Sequence, residues 1–164
     1  MAFDPVNGYY LVTWTDARNV FWDIYGQFIN AATGTLLGGN FSISAASNNQ
    51  SSSSIAYDPD PLSQRYLVAW ADRRSGTYYD IYGQFISANG TFSGQEFTIS
   101  TATDSQMAPS AAFDTLNKCY LVAWQDIRLV SNNNDIYGRT ISRGIITTSL
   151  PSGSLLIPYT ALLQ

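Results

Sequence analysis

Histidine is absent from this 164-residue chain, and cysteine and lysine occur once each, as Cys119 and Lys118. The missing imidazole removes the commonest general base, the usual catalytic triads and the commonest zinc ligand together. A lone cysteine excludes an intrachain disulfide and a Cys-x-x-Cys metal site. Charged residues make up only 12% of the chain, about half the ordinary share. One lysine and a net charge of −4 leave no basic stripe to neutralise phosphates, so no nucleic-acid partner is expected. No apolar run approaches the roughly 20 residues of a membrane-spanning helix. A signal-peptide pattern is also missing, because Met1 stands directly on the first repeat. The expectation is a cloning or processing boundary there, with a natural protein extending further at one end or the other.

What the chain does contain is one string written three times. The first copy reads Tyr10-Leu-Val-Thr-Trp14, then Asp16 and Arg18, then Asp23-Ile-Tyr25-Gly26-Gln27. The second runs Tyr66 to Trp70, then Asp72 with Arg73 or Arg74, then Asp80-Ile-Tyr82-Gly83-Gln84. The third runs Tyr120 to Trp124, then Asp126 and Arg128, then Asp135-Ile-Tyr137-Gly138-Arg139. The tryptophans lie 56 and 54 residues apart. A fixed period of this size indicates a solenoid, a propeller or an array. Cys119 stands where the other copies carry Tyr9 and Arg65, and reads as an incidental residue opening a strand.

Each copy holds four strand-like segments, expected at residues 2–4, 9–15, 22–30 and 40–45; at 54–58, 66–71, 79–87 and 96–101; and at 110–114, 120–125, 135–142 and 154–158. Turn-forming clusters such as Pro59-Asp60-Pro61 and Asn89-Gly90 separate them. No helical period persists, so almost no helix is expected. The string Tyr-Leu-Val-Ala-Trp is apolar throughout, as in a strand buried on both faces. Four short antiparallel strands per unit, with a doubly buried inner strand, describe a β-propeller blade. The fold expected is all-β, a propeller of three four-stranded blades spanning about 2–53, 54–109 and 110–160 within one domain.

Nine of the twelve acidic residues occupy three positions fixed in the repeat. A residue copied into every unit is expected to solve a problem every unit has. Asp4, Asp58 and Asp114 follow the first strand and suit Asx-type turns. Asp16 with Arg18, Asp72 with Arg73 or Arg74, and Asp126 with Arg128 suit fork-shaped ion pairs that fix a loop. The functional alternative for these loops is a ring of charged pairs that grips a sugar or an anion. Glycoside hydrolysis would need an acid and a nucleophile with distinct roles, and nothing distinguishes one Asp from another. No catalytic residue is therefore assigned.

Asp23, Asp80 and Asp135 read as structural, although Asn132, Asn133 and Asn134 beside the last raise Ca²⁺ as an alternative. That alternative lacks an Asp-x-Asp-x-Asp spacing, so neither metal nor cofactor is expected. Trp14, Trp70 and Trp124, with Tyr25, Tyr82 and Tyr137, read as core. Gly26, Gly83 and Gly138 read as points where a neighbouring ring or backbone comes close. Trp22 falls outside the repeat; with Tyr78 and Tyr79 as counterparts, it is the aromatic expected to be exposed for binding.

The combined pattern, with Phe-Thr-Ile-Ser following in the second copy, resembles tandem repeats of large secreted bacterial and archaeal proteins. The resemblance covers residues 2 to about 142 and fades in residues 144–164. It implies β-propeller architecture and an extracellular or cell-surface setting, and it implies no reaction. The chain lacks the Ser-x-Asp-x-Gly-x-Thr-Trp box of sialidase-type propellers. Three blades do not close a ring, since closed propellers use four or more. Either a longer chain supplies the rest, or two chains form a six-bladed homodimer in which the tail 155–163 packs across a junction or adds a strand to the partner's first blade. The functions expected are a non-enzymatic scaffold or binding module, a lectin-like or glycan-active propeller using the Asp/Arg loops, or an architectural repeat of a surface layer or filament.

Overall fold

The structure, a computed structural model, describes residues 1–128 and 135–142. Among the described residues every regular element is a β-strand. The first sheet comprises β1 (Ala2–Asp4), β2 (Tyr9–Asp16), β3 (Asp23–Asn30) and β4 (Leu36–Ser44). The second comprises β5 (Gln50–Asp58), β6 (Arg65–Asp72), β7 (Asp80–Ser87) and β8 (Phe97–Ser100). The third comprises β9 (Gln106–Asp114), β10 (Cys119–Asp126) and β11 (Asp135–Ser142). Within each sheet the strands lie side by side in chain order, and every pair is antiparallel. The fourth strand expected at 154–158 lies outside the described residues.

The hairpins follow from their turn chemistry. Asp4 Oδ1 accepts from the backbone N–H groups of Val6 and Asn7, and Asp114 Oδ1 accepts likewise from Leu116 and Asn117. Asp58 Oδ1 accepts from the N–H of Asp60. These are the expected Asx turns. The first strands begin earlier than expected, at Gln50 and Gln106. Their pairing with β6 and β10 slips by a bulge, and Ser52 and Ala108 take left-handed φ values of 56° and 49°. A bulge breaks the alternation by which such a strand is recognised.

The sheets lie face to face. β5 packs against β1, β2 and β3, and β9 packs against β5, β6 and β7. One apolar cluster joins Leu11, Ile24 and Phe28 to Tyr66, Val68 and Trp70; a second joins Leu67, Ile81 and Phe85 to Tyr120, Val122 and Trp124. The odd-numbered face of β2 thus meets the face of β6 that carries its Tyr, Val and Trp, and the pattern repeats one sheet on. β6 is buried almost throughout because it has a sheet on each side. Burying each of its Leu and Val side chains stabilises the fold by roughly 1.5–3 kcal/mol. Three near-identical strands therefore differ in exposure: Leu11 and Leu67 are 0% exposed, whereas Leu121 is 47% exposed.

Candidate binding surface

The recurring wording of each repeat folds into one cassette. Trp14, Trp70 and Trp124 stand directly opposite Tyr25, Tyr82 and Tyr137 in the central hairpins. Each indole Nε1 donates to the Oδ2 of the Asp two residues on, at 2.9, 2.8 and 3.0 Å. The Oδ1 of that Asp accepts both the backbone N–H and the Nε–H of an Arg, and the Arg Nη2 donates to Oδ2. The partners are Arg18, Arg74 and Arg128. Each guanidinium lies over the ring of Tyr25, Tyr82 or Tyr137, 4.2, 4.0 and 4.1 Å from its centroid. Bidentate pairing and ring stacking use the planar fork as no lysine could.

In the second sheet the pairing residue is Arg74. Arg73 is exposed, its guanidinium 5.9 Å from the centre of the Tyr79 ring and its backbone N–H donated to Asn49 O. The reason is spacing, since the Arg must stand two residues after the Asp for its own N–H to reach Oδ1.

The electrostatics follow. The Arg18 side chain, then its N–H and the Trp14 indole, hold the Asp16 carboxyl below the usual carboxylate range. Burial alone would push Asp126 up, but Arg128 and Trp124 outweigh it and hold it low. Burial also opposes the charge on Arg74, yet its bonds to Asp72 and Glu96 raise its pKa. Four donors fill each repeat carboxylate, which offers about four lone-pair sites. A carboxylate so engaged has no free lone pair for a sugar hydroxyl and no proton to give.

Gly26 and Gly83 stand close to side chains of the neighbouring strand. A Cβ there would stand 2.9 Å from Ile43 Cδ1 or Ile99 Cδ1, and 3.2 or 3.1 Å from the tip of Phe41 or Phe97. At Gly138 the nearest described atom, Leu121 Cδ1, would be 3.5 Å away, an ordinary contact.

Trp22 proves equivalent to Tyr79 in backbone role. Trp22 O accepts from Gln50 N at 2.8 Å, and Tyr79 O accepts from Gln106 N at 2.7 Å. Each ties one sheet to the first strand of the next. The side chains of Val20, Phe21, Trp22 and Tyr78 are exposed. Phe21 and Val20 border a shallow groove of about 720 Å³, together with Arg18, Asn19, Asp23 and residues 45–47. Asn19 Nδ2 donates to Asp23 Oδ2 at 2.7 Å, which anchors that loop. The structure thus brings Arg18 and Phe21 to one groove, while Trp22 and Tyr78 lie outside its lining.

Sequence reasoning missed Gln50 and Gln106. Both are fully buried, and each Nε2 donates to carbonyls of the loop before it, Ser47 and Asn48 or Ala102, Thr103 and Asp104. The signal was present: each lies nine residues after the Phe of a Phe-x-Ile-Ser string.

Among the described residues no three acidic, Cys or His side chains converge to hold a metal. Asn132, Asn133 and Asn134, the calcium alternative, lie outside them. No helix among the described residues is long and apolar enough to cross a membrane. Comparison of the chain with protein-family models, curated proteins and solved structures finds no match.

Proposed function

We propose that this chain is a non-enzymatic β-propeller scaffold or binding module of a secreted or cell-surface protein, its three blades completed to a six-bladed ring by a second copy. One observation carries the non-enzymatic reading. The Asp/Arg pairs that recur in every repeat, Asp16 with Arg18, Asp72 with Arg74 and Asp126 with Arg128, are consumed in Trp–Asp–Arg–Tyr cassettes that fasten the loop of each sheet. Face-to-face stacking of like sheets supports the propeller arrangement, since blades pack in this way around an axis. The extracellular setting rests on the resemblance of the repeat to those of secreted proteins.

A lectin-like role is the second reading. It is favoured by exposed Phe21 in the groove with Arg18 and Asp23, and by exposed Trp22 next to it in sequence. A glycan array decides between the two. Silence across the array supports the scaffold. Binding that disappears on Trp22→Ala or Phe21→Ala, with the fold intact by circular dichroism, would replace it with the lectin. An architectural repeat is the third reading, favoured by apolar side chains exposed among the described residues at both ends of the stack, Phe3 on the first sheet and Leu121 and Ile136 on the third. Heterologous contacts that fail to close give filaments, which sedimentation would reveal as species larger than a dimer.

A further inference from the structure

The two internal junctions are built alike, and each end of the stack presents one half of the same junction. The Tyr-Val-Trp face of a following sheet always meets the Leu face of the sheet before it. On the second sheet Tyr57, Tyr66, Val68 and Trp70 are buried in this way. Their counterparts on the first sheet are Phe3, Tyr10, Val12 and Trp14, paired in the same register. None of these four is fully buried, and Phe3 is exposed. On the third sheet the described residues of the Leu face are exposed: Leu121 is 47% and Ile136 38% exposed where Leu11, Leu67, Ile24 and Ile81 are 0% exposed. Arg exposure follows the same gradient, with side chains 46%, 25% and 16% exposed for Arg18, Arg74 and Arg128.

Resting on the six-bladed reading above, we infer that a second copy of this chain docks head to tail. The Leu121 and Ile136 face of one copy covers the Tyr10, Val12 and Trp14 face of the other, at two equivalent junctions. The occupant is identified by continuity, because each free face already has its complement elsewhere in the same chain. Contact of first sheet with first sheet would instead bring together two faces never paired in the stack.

One residue departs from the template. Within the stack Phe28 meets Tyr66 with ring centroids 5.9 Å apart, and Phe85 meets Tyr120 at 5.7 Å. Thr140 stands at the corresponding position of β11, opposite Leu121, as Phe28 stands opposite Leu11 and Phe85 opposite Leu67. The junction between copies therefore lacks the phenyl that would meet Tyr10, and is the weakest of the ring.

The experiment is sedimentation equilibrium of the full chain and three variants. The wild type should form a dimer of twice the 18.0 kDa chain mass. Thr140→Phe should tighten it by roughly 5- to 150-fold, because an aromatic pair is added at each of the two junctions; misfolding cannot produce such a gain. Leu121→Asp alone and Val12→Asp alone should each be monomeric, while their mixture should recover a heterodimer through the one intact junction. A wild-type dimer indifferent to Thr140→Phe, or one that survives Leu121→Asp, overturns the head-to-tail register and leaves the ring reading standing. A wild type monomeric at every accessible concentration overturns both.

Discussion

Trp70 Nε1 donates to Asp72 Oδ2 at 2.8 Å, and neither residue has any solvent exposure. The same Oδ2 accepts from Arg74 Nη2 at 2.6 Å. One oxygen thus joins the sheet's core aromatic to its loop cation, and the hairpin end cannot move without breaking both bonds. Asp72→Ala leaves the indole N–H without its acceptor and the guanidinium with Glu96 and Ser44 alone. Removal of one partner from a buried pair costs about 3–5 kcal/mol. The lower end is expected here because the Arg74 side chain is 25% exposed and regains some water. Urea unfolding should show that loss. In the dissociated chain Asp16→Ala should cost less, because the Arg18 and Asp16 side chains are 46% and 11% exposed against 25% and 0% for Arg74 and Asp72. Arg74→Ala should destabilise, and Arg73→Ala should leave the midpoint unchanged. Equal effects of Asp72→Ala and Asp16→Ala would refute this account.

Gly83→Ala and Gly138→Ala separate close approach from mere recurrence. At Gly83 the new methyl would press on Ile99 and on the ring of Phe97, and overpacking of this kind costs about 1–3 kcal/mol. At Gly138 it would meet Leu121 at ordinary distance. Thermal melts should show a lowered midpoint for the first and little change for the second.

Gln106 offers a test by charge. Its Nε2 lies 3.2, 3.2 and 2.8 Å from the carbonyl oxygens of Ala102, Thr103 and Asp104. Gln106→Glu keeps the shape and replaces the donor with an acceptor facing three acceptors. The variant should lose about 2–3 kcal/mol at neutral pH, in the range for a buried polar group deprived of its bonds. Burial against three carbonyl oxygens raises the pKa of the new carboxyl, so protonation restores a donor above the ordinary value of about 4.3, and the loss should shrink as pH falls toward that value. A flat pH dependence of the difference would sink this reading.

The repeat made the strands legible because period and turn chemistry act locally. Tyr-Leu-Val-Ala-Trp in 66–70 announces a strand covered on both faces, and that strand is the second sheet's. The same words in 120–124 do not announce that Leu121 is bare, because burial there is decided by which sheet follows. Arg73 and Arg74 were indistinguishable by charge, and the backbone N–H of the Arg decides between them. The Asx turns at Asp4 and Asp114 were legible for the converse reason, since their partners lie within three residues. Gln50 and Gln106 escaped notice because an amide in a serine-rich stretch reads as surface until a bulge turns it inward.

Asp80 faces Asp72 across the end of the β6–β7 hairpin, carboxylate against carboxylate. Burial, then the charge of Asp72, raises the Asp80 pKa, and Arg74 offsets part of this. The sign is opposite to that at Asp126. A carboxyl held low adds stability above its unfolded value, near 3.9, and that stability is lost as pH falls through the folded value. A carboxyl held high subtracts stability, and the loss grows as pH rises from the unfolded value through the folded one. Asp80→Asn should therefore stabilise the protein at neutral pH by roughly 0.5 kcal/mol, the scale of a like-charged cross-strand pair. The gain should shrink to nothing by about pH 3, where Asp80 is protonated in both states. Asp126→Asn should do the reverse, losing stability at neutral pH and converging on the wild type in acid. Urea titrations at pH 3, 5 and 7 measure both slopes (roughly the span of the carboxylate titration). Destabilisation by Asp80→Asn at neutral pH would show that Asp80 holds the hairpin by accepting bonds that outweigh its repulsion from Asp72.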